Sequence, residues 1–228
     1  PGATWTTLHA LDGDDLILRD RSGGYALGPG FHDFNVMGGS GYDTVSYEYA
    51  PTALTVNLEQ GYASILNSGG KVYNDDNLDS IEGVVGTDYD DSMFGDSGAN
   101  TLVGGDGDDV IDGEGGADTL LGGDGEDHIL GGTGGDTIKG GDDDDAIWGE
   151  GGADKIEGGA GGDTIYGGGH GDIIKGGSGN DVIDGGFGAD SIDGGTGSDT
   201  IEGGHGGDTI VTGTGHDNVD AGANPDTI

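Results

Sequence analysis

Cysteine is absent from all 228 residues, so neither a disulfide framework nor a thiolate metal site can hold this chain together. Positive charge is nearly as scarce: six Lys and Arg stand against 45 Asp and Glu, giving a formal net charge of −39. Such a surface repels nucleic acid and anionic membranes, and no basic stripe with interleaved aromatics interrupts it, which removes both as partners. No run of about 18 apolar residues exists, and no charged segment precedes an apolar stretch near Pro1, so no membrane span or Sec signal is recognisable. HExxH, a P-loop and a Ser, His and Asp arrangement are all missing. Carboxylates are so abundant that no acid and base pair stands out, and the chain is read as non-catalytic. It begins at Pro1 and stops at Ile228 in mid-pattern, as a piece of a longer protein would, which leaves any catalytic domain outside it.

What the chain has in excess is glycine, 58 residues, and negative charge. Like charges at this density oppose compaction, so a folded form requires bound cations or a strongly basic partner. With thiolates excluded, hard oxygen-bound metals remain. Composition alone fits disorder, and disorder is the expected state when no cation is bound. The order of the residues argues for a fold.

From Gly86 to the end the sequence divides into sixteen blocks of nine without an insertion or deletion, beginning GTDYDDSMF, GDSGANTLV, GGDGDDVID and ending TGTGHDNVD, AGANPDTI, the last one residue short. The sixth position is Asp in every block but the second, where it is Asn100. These residues are Asp91, Asp109, Asp118, Asp127, Asp136, Asp145, Asp154, Asp163, Asp172, Asp181, Asp190, Asp199, Asp208, Asp217 and Asp226. The eighth position is always Ile, Leu, Val or Met, from Met93 to Ile228. Glycine at positions one, two and four points to a turn with positive φ. Asp143, His170 and Asn224, which replace glycine at position four, are types that tolerate that geometry; Tyr89 does not fit.

Positions seven to nine predict a short strand whose middle residue faces inward. One aliphatic residue per block makes a core only if identical units stack. Two facing strands need two blocks, about 18 residues, per coil, and eight coils at roughly 4.8 Å each make a rod near 40 Å long. The predicted fold is therefore all-β, a right-handed parallel β-roll over residues 86–228. Residues 1–85 differ. ALDGDDLIL at 10–18 and GGSGYDTVS at 38–46 read as isolated degenerate blocks, and Leu54, Val56 and Leu58 alternate as in an amphipathic strand. This segment is expected to be an irregular, β-rich N-terminal cap that closes the open edge of the first coil.

Calcium suits such a turn, because it accepts six to eight oxygens from carboxylates and carbonyls in flexible geometry, whereas magnesium demands a strict octahedron. Alternate blocks share a side, so Asp109 is expected to stack over Asp127 and Asp118 over Asp136. Seven gaps on each of two sides would take up to about fourteen ions, leaving a residual charge of about −11. Asn100 brings no charge and marks a weak gap; the last block, with Asn224 and Pro225, is an equally poor site. The six histidines, His9, His32, His128, His170, His205 and His216, fall at unrelated repeat positions and are expected to be solvated. Thr133, Thr196 and Thr214 at position three do not form a regular outward row of the kind ice binding requires. At position nine, Leu130, Trp148 and Tyr166 stack on one outer face, either as a cross-strand ladder or as a contact patch for a protein partner or a second copy. The opposite face carries Lys139, Glu157 and Lys175.

GGDGDDVID, GGSGNDVID and GGTGSDTIE match the consensus GGxGxDxUx, with U a large aliphatic residue. The chain thus resembles the RTX, or repeats-in-toxin, hemolysin-type calcium-binding family. The stretch LDSIEGVVGTDYDDSMFGDSGANTL is similar to the lead-in of serralysin-type C-terminal β-roll domains. The resemblance implies calcium at each sixth-position Asp and at turn carbonyls of adjacent coils. It also implies type I secretion, unfolded, from a Gram-negative bacterium, followed by folding outside. Extracellular modules bind calcium at about 10⁻⁴ to 10⁻³ M, a range the exterior fills and the cytosol does not. The expected role is an extracellular, calcium-folded module serving structure, secretion or adhesion. The alternative is the non-catalytic C-terminal part of a secreted serralysin-like protease, lipase or polysaccharide-modifying enzyme, and self-assembly through the open Ile228 end is a third.

Overall fold

The computed structural model describes residues 6–10, 12–18, 34–66 and 72–228. Among these every regular element is a strand, and no helix is long and apolar enough to cross a membrane. The strands form two sheets, and one buried aliphatic cluster runs between them. Each coil places three residues of one block in one sheet and three of the next block in the other. The strand triplets are rich in Thr, Ile and Val, whose branched side chains suit a pleated, half-buried surface.

Pairing is parallel and in step with the repeat. In one sheet Met93, Ile111, Ile129, Ile147, Ile165, Ile183 and Ile201 are successive partners. In the other, Leu102, Leu120, Ile138, Ile156, Ile174, Ile192 and Ile210 do the same. All are at most 2% exposed, so each aliphatic side chain is covered by its equivalents one coil above and below. Val219 is partly buried and Ile228 is 73% exposed.

The N-terminal region is irregular and β-rich, and part of it continues the rows of the roll. Leu16–Leu18 pairs with Thr44–Ser46, which pairs with Gly83–Val85, which pairs with Thr101–Asp106, all parallel. Ile17, Val45, Val84 and Leu102 are consecutive in one row, so the two isolated blocks are coils of the same roll. Insertions between them erase the nine-residue count along the sequence without shifting the strands in space. In the facing sheet, Thr6–His9, Phe34–Met37 and Val72–Asp79 stack in parallel. The antiparallel hairpin Leu54–Asn57 and Tyr62–Leu66 then lies between Val72–Asp79 and Ser92–Phe94. Leu54 and Val56 point inward as their alternation predicts. The hairpin adds two strands to one sheet where the other adds none, and Tyr47 is fully buried beside it, its hydroxyl donating to Asp76 Oδ2 at 3.1 Å.

Because each row is continuous, one truncation leaves a void flanked by two coils. Ile165→Ala is expected to cost about 2–5 kcal/mol, whereas Ile173→Ala, on a side chain 51% exposed, should stay within about 0.5 kcal/mol. Urea unfolding of both variants at saturating calcium checks this, and equal midpoints would contradict the buried row.

Candidate metal centre

The turns joining the strands bring the sixth-position carboxylates into two rows. From Asp91 to Asp217 on one side, and from Asn100 to Asp226 on the other, each backbone N–H donates to Oδ1 of the equivalent Asp one coil later, at 2.7–3.1 Å. Asp109 therefore lies over Asp127 and Asp118 over Asp136, as the block pairing predicts. From Asp109 to Asp208 these side chains are at most 3% exposed. Their second oxygens are the anomaly. Oδ2 of Asp109, Asp118, Asp127, Asp136, Asp145, Asp154, Asp163, Asp172, Asp181, Asp190, Asp199 and Asp208 is buried with no hydrogen-bond partner.

Glycine at position one is explained by this oxygen, and not by φ as expected. Positive φ occurs at positions two and four, for example Gly105 (126°) and Gly107 (120°), and at Asp143 (78°), His170 (84°) and Asn224 (95°). The position-one glycines lie outside that region. A Cβ on Gly113 would fall 2.6 Å from both Asp118 Oδ2 and the Gly131 carbonyl oxygen of the next coil. Carboxylate and carbonyl oxygens converge there, and no side chain fits between them.

Three of the fifteen candidate residues stand apart. Asp91 is buried, but Oδ1 accepts from Leu54 N–H (2.6 Å) and the Thr87 hydroxyl (2.9 Å), and Oδ2 from Thr87 N–H (2.7 Å). Both its oxygens have protein donors, and burial still outweighs them, pushing Asp91 up to about 6. Asp217 and Asp226 close the two rows and are only partly buried. Asn100 is fully used: Oδ1 accepts from Asp96 N–H at 2.8 Å, and Nδ2 donates to the Glu82 carbonyl at 3.3 Å. Two residues escaped the periodicity. Asp43 occupies position six of the Gly38–Ser46 block, and Glu82 holds the equivalent place in the next coil, its Oε2 accepting Asp43 N–H at 2.8 Å. GGSGYDTVS already pointed to Asp43; nothing in the sequence around Glu82 did.

Among the described residues no three His, Cys, Asp or Glu side chains converge as a cluster. An ion at these turns would take one or two carboxylates and complete its shell with backbone carbonyls. That donor set is all oxygen and many-membered, which fits calcium and fits neither a soft metal nor magnesium. Residues 85–228 match the model of the RTX calcium-binding nonapeptide repeat, in segments 85–120, 121–156, 130–165, 148–183, 166–201 and 193–228. The chain belongs to the RTX calcium-binding nonapeptide repeat family. No curated protein matches it. One similar solved structure is the X-ray crystal structure of a hyperactive, Ca2+-dependent, beta-helical antifreeze protein from an Antarctic bacterium. It is 19% identical, covers 93% of this chain and 76% of that one, and has a TM-score of 0.36, too loose a superposition to bear on function.

The outer faces of the RTX roll are less demanding. Leu130, Trp148 and Tyr166 are direct partners, and the Trp148 and Tyr166 rings stack with centroids 5.6 Å apart. His128 packs on Trp148 (4.6 Å) and His205 on Phe187 (5.0 Å). His170 Nδ1 lies 2.8 Å from the Gly169 carbonyl oxygen. His32 lies outside the described residues. Lys139 pairs with Glu157 at 3.4 Å, an exposed contact that contributes little. Thr196 and Thr214 are bridged neighbours, while Thr133 bridges Gly115 and Gly151 on the other side of the roll, so no three-Thr row forms.

Burial raises Asp91, Asp109, Asp118, Asp127, Asp136, Asp145, Asp154, Asp163, Asp172, Asp181 and Asp190 above the ordinary Asp range, and neighbouring carboxylates add to it at all of these but Asp136. Asp109 is pushed up to about 8, with Asp91 and Asp127 as its nearest repelling charges; Asp145 and Asp172 reach about 7; Asp118, Asp127, Asp154 and Asp181 reach about 6. A raised folded-state value means that the metal-free RTX roll holds more protons than the unfolded chain. Its stability is greatest below about pH 4 and is lost as pH rises through 6 to 8. In chelator, far-UV circular dichroism is expected to gain strand signal on acidification from pH 8 to pH 5, while the calcium midpoint rises because protons compete for the same oxygens. A chelated spectrum that is flat across this range would contradict the buried rows. The position-one notch gives a second expectation. Gly149→Ala places Cβ 2.7 Å from Asp154 Oδ2 and should cost about 1–3 kcal/mol, whereas Gly169→Ala meets nothing nearer than 3.7 Å and should be close to neutral. Thermal melts in calcium separate the two.

Proposed function

We propose that this chain is an extracellular calcium-folded module, unfolded in a calcium-poor cytosol and folded after export. One observation supports it most: two rows of buried carboxylate oxygens that lack a protein donor. A buried oxygen of that kind needs either a proton or a cation, and at neutral pH and millimolar calcium the cation is available. Asp109 to Asp208 are the charged ligands in this reading, with Asp217 and Asp226 in the same two rows. Asp91 is a structural acceptor. The remaining ligands are turn carbonyls. One divalent ion for each of the twelve orphaned carboxylates brings the net charge to about −15, within the range of an ordinary soluble rod.

Calcium that binds only the folded state is folding free energy, added site by site. The role that follows is mechanical: a rod that holds neighbouring parts apart or presents them outside the cell. The stacking of Trp148 on Tyr166 favours a cross-strand ladder for the aromatic row, since the rings already cover each other.

Circular dichroism and calcium counting test the reading together. The wild-type chain at pH 7.5 should be disordered in chelator, turn to strand with about 5 mM calcium, and respond weakly to the same concentration of magnesium. Asp163→Asn, in mid-array, should bind one ion fewer and lose about 2.7 kcal/mol at calcium a hundredfold above the site's dissociation constant. A chain whose spectrum ignores calcium would overturn the proposal.

A further inference from the structure

Among the described residues the only Lys and Arg side chains are Lys139, Lys155 and Lys175, and all three stand exposed on the outer face of one sheet. They lie on three successive strands, Thr137–Asp142, Lys155–Ala160 and Ile173–Ser178. Lys139, Glu157, Lys175 and Asp193 alternate in sign as direct partners, and Lys155 shares a strand and a face with Glu157. Lys139 Nζ pairs with Glu157 Oε2 at 3.4 Å, whereas Lys155 and Lys175 form no ion pair. In a chain with a formal net charge of −39, this is where the positive charge of the described residues collects.

A row of the opposite sign runs beside it. Asp106, Asp124 and Asp142 are direct partners on successive strands of the same sheet, all exposed. Like charges directly opposite each other repel, and the roll does not require acids there, since the same row continues as Ala160, Ser178 and Thr196. The two rows meet at an open groove of about 460 Å³, walled by Asp124, Asp142, Lys139 and Glu157 over Gly123, Gly141 and Gly159. Strand Thr137–Asp142 carries both signs, Lys139 and Asp142. The acids extend from it toward the N-terminal coils and the lysines toward the C-terminal coils, each over three strands.

We propose that this flank is an interface between two copies of the chain, lying antiparallel about a two-fold axis at strand Thr137–Asp142. Turning a second rod end for end over that strand sets Asp106 against Lys175, Asp124 against Lys155 and Asp142 against Lys139, together with the three reciprocal pairs. The match holds along the rod because both rows advance by the same coil, about 4.8 Å. Such a contact is self-complementary and closes at two copies. It presupposes the calcium-folded rod, and bound calcium also lowers the overall charge that keeps two copies apart.

Sedimentation equilibrium of the full chain in saturating calcium is expected to show a monomer–dimer equilibrium that weakens as sodium chloride rises from about 0.05 to about 0.5 M. Two triple variants, Lys139→Gln with Lys155→Gln and Lys175→Gln, and Asp106→Asn with Asp124→Asn and Asp142→Asn, should keep the calcium-loaded circular dichroism. Each should raise the dimer dissociation constant by about tenfold or more. Mixed together they should associate more tightly than either alone, because one keeps the acids and the other the lysines. A wild type that folds in calcium and stays monomeric at low salt overturns the interface and leaves the calcium reading intact. So does a lysine variant that dimerises as wild type does, or a mass that climbs past two copies. Polyglutamate bound by a monomeric wild type and not by the lysine variant overturns it in favour of a foreign acidic polymer. A wild type that calcium does not fold removes the rod and the interface together.

Discussion

A carboxylate with one oxygen held and the other left over is the unit on which this fold depends. The held oxygen takes the backbone N–H of the coil before it, which fixes the stacking distance and the register between coils. The spare oxygen is buried by the same stacking, so every coil added creates two more charges, one at each turn, that water cannot reach. Desolvation makes that oxygen costly in the absence of a counter-charge. Assembly of the rod and its demand for cations are therefore one process.

The hydrophobic contribution cannot replace this. Each block from Met93 to Ile210 buries one aliphatic side chain completely, and that side chain has a full set of neighbours only when the coils on both sides are present. A coil alone buries too little to offset the ordering of 18 residues, so stability resides in interfaces between coils. The carboxylate row and the aliphatic row run side by side, one at the turn and one within the sheets. Neutralising the first lets the second come together.

Most of this was legible in the sequence because the array has no insertion. Position eight gave the core row and position six gave the carboxylate rows residue by residue, since a strict nine-residue count maps directly onto space. The N-terminal coils were not legible as coils. Ile17, Val45 and Val84 sit in the same row as Leu102, yet the insertions between them destroy the count. Glu82 stands where an Asp would, without the glycines that would announce it. The reason for glycine at position one was hidden for another cause: it is set by an oxygen of the same block and a carbonyl of the next coil, and contact between coils leaves no local trace. Asp91 holds position six like the other array Asp residues and departs from them in chemistry, because its donors come from Leu54 and Thr87, one of them 37 residues away.

The coil from Gly86 to Val103 shows how the two halves of the chain are joined. On one side Asp91 has both oxygens satisfied, and on the other Asn100 has both ends of its amide satisfied. This coil therefore leaves no unpaired buried oxygen at either turn, while still offering the N–H groups of Asp91 and Asn100 to the carboxylates of the next coil. The coils that follow leave one buried carboxylate oxygen unpaired at each turn from Asp109 to Asp208, and this coil leaves none. Thr87 and Leu54 at one turn, and Asn in place of Asp at position 100 at the other, make that difference, so the departure from the repeat that looks weakest in the sequence is a coil whose buried side chains are satisfied by protein alone.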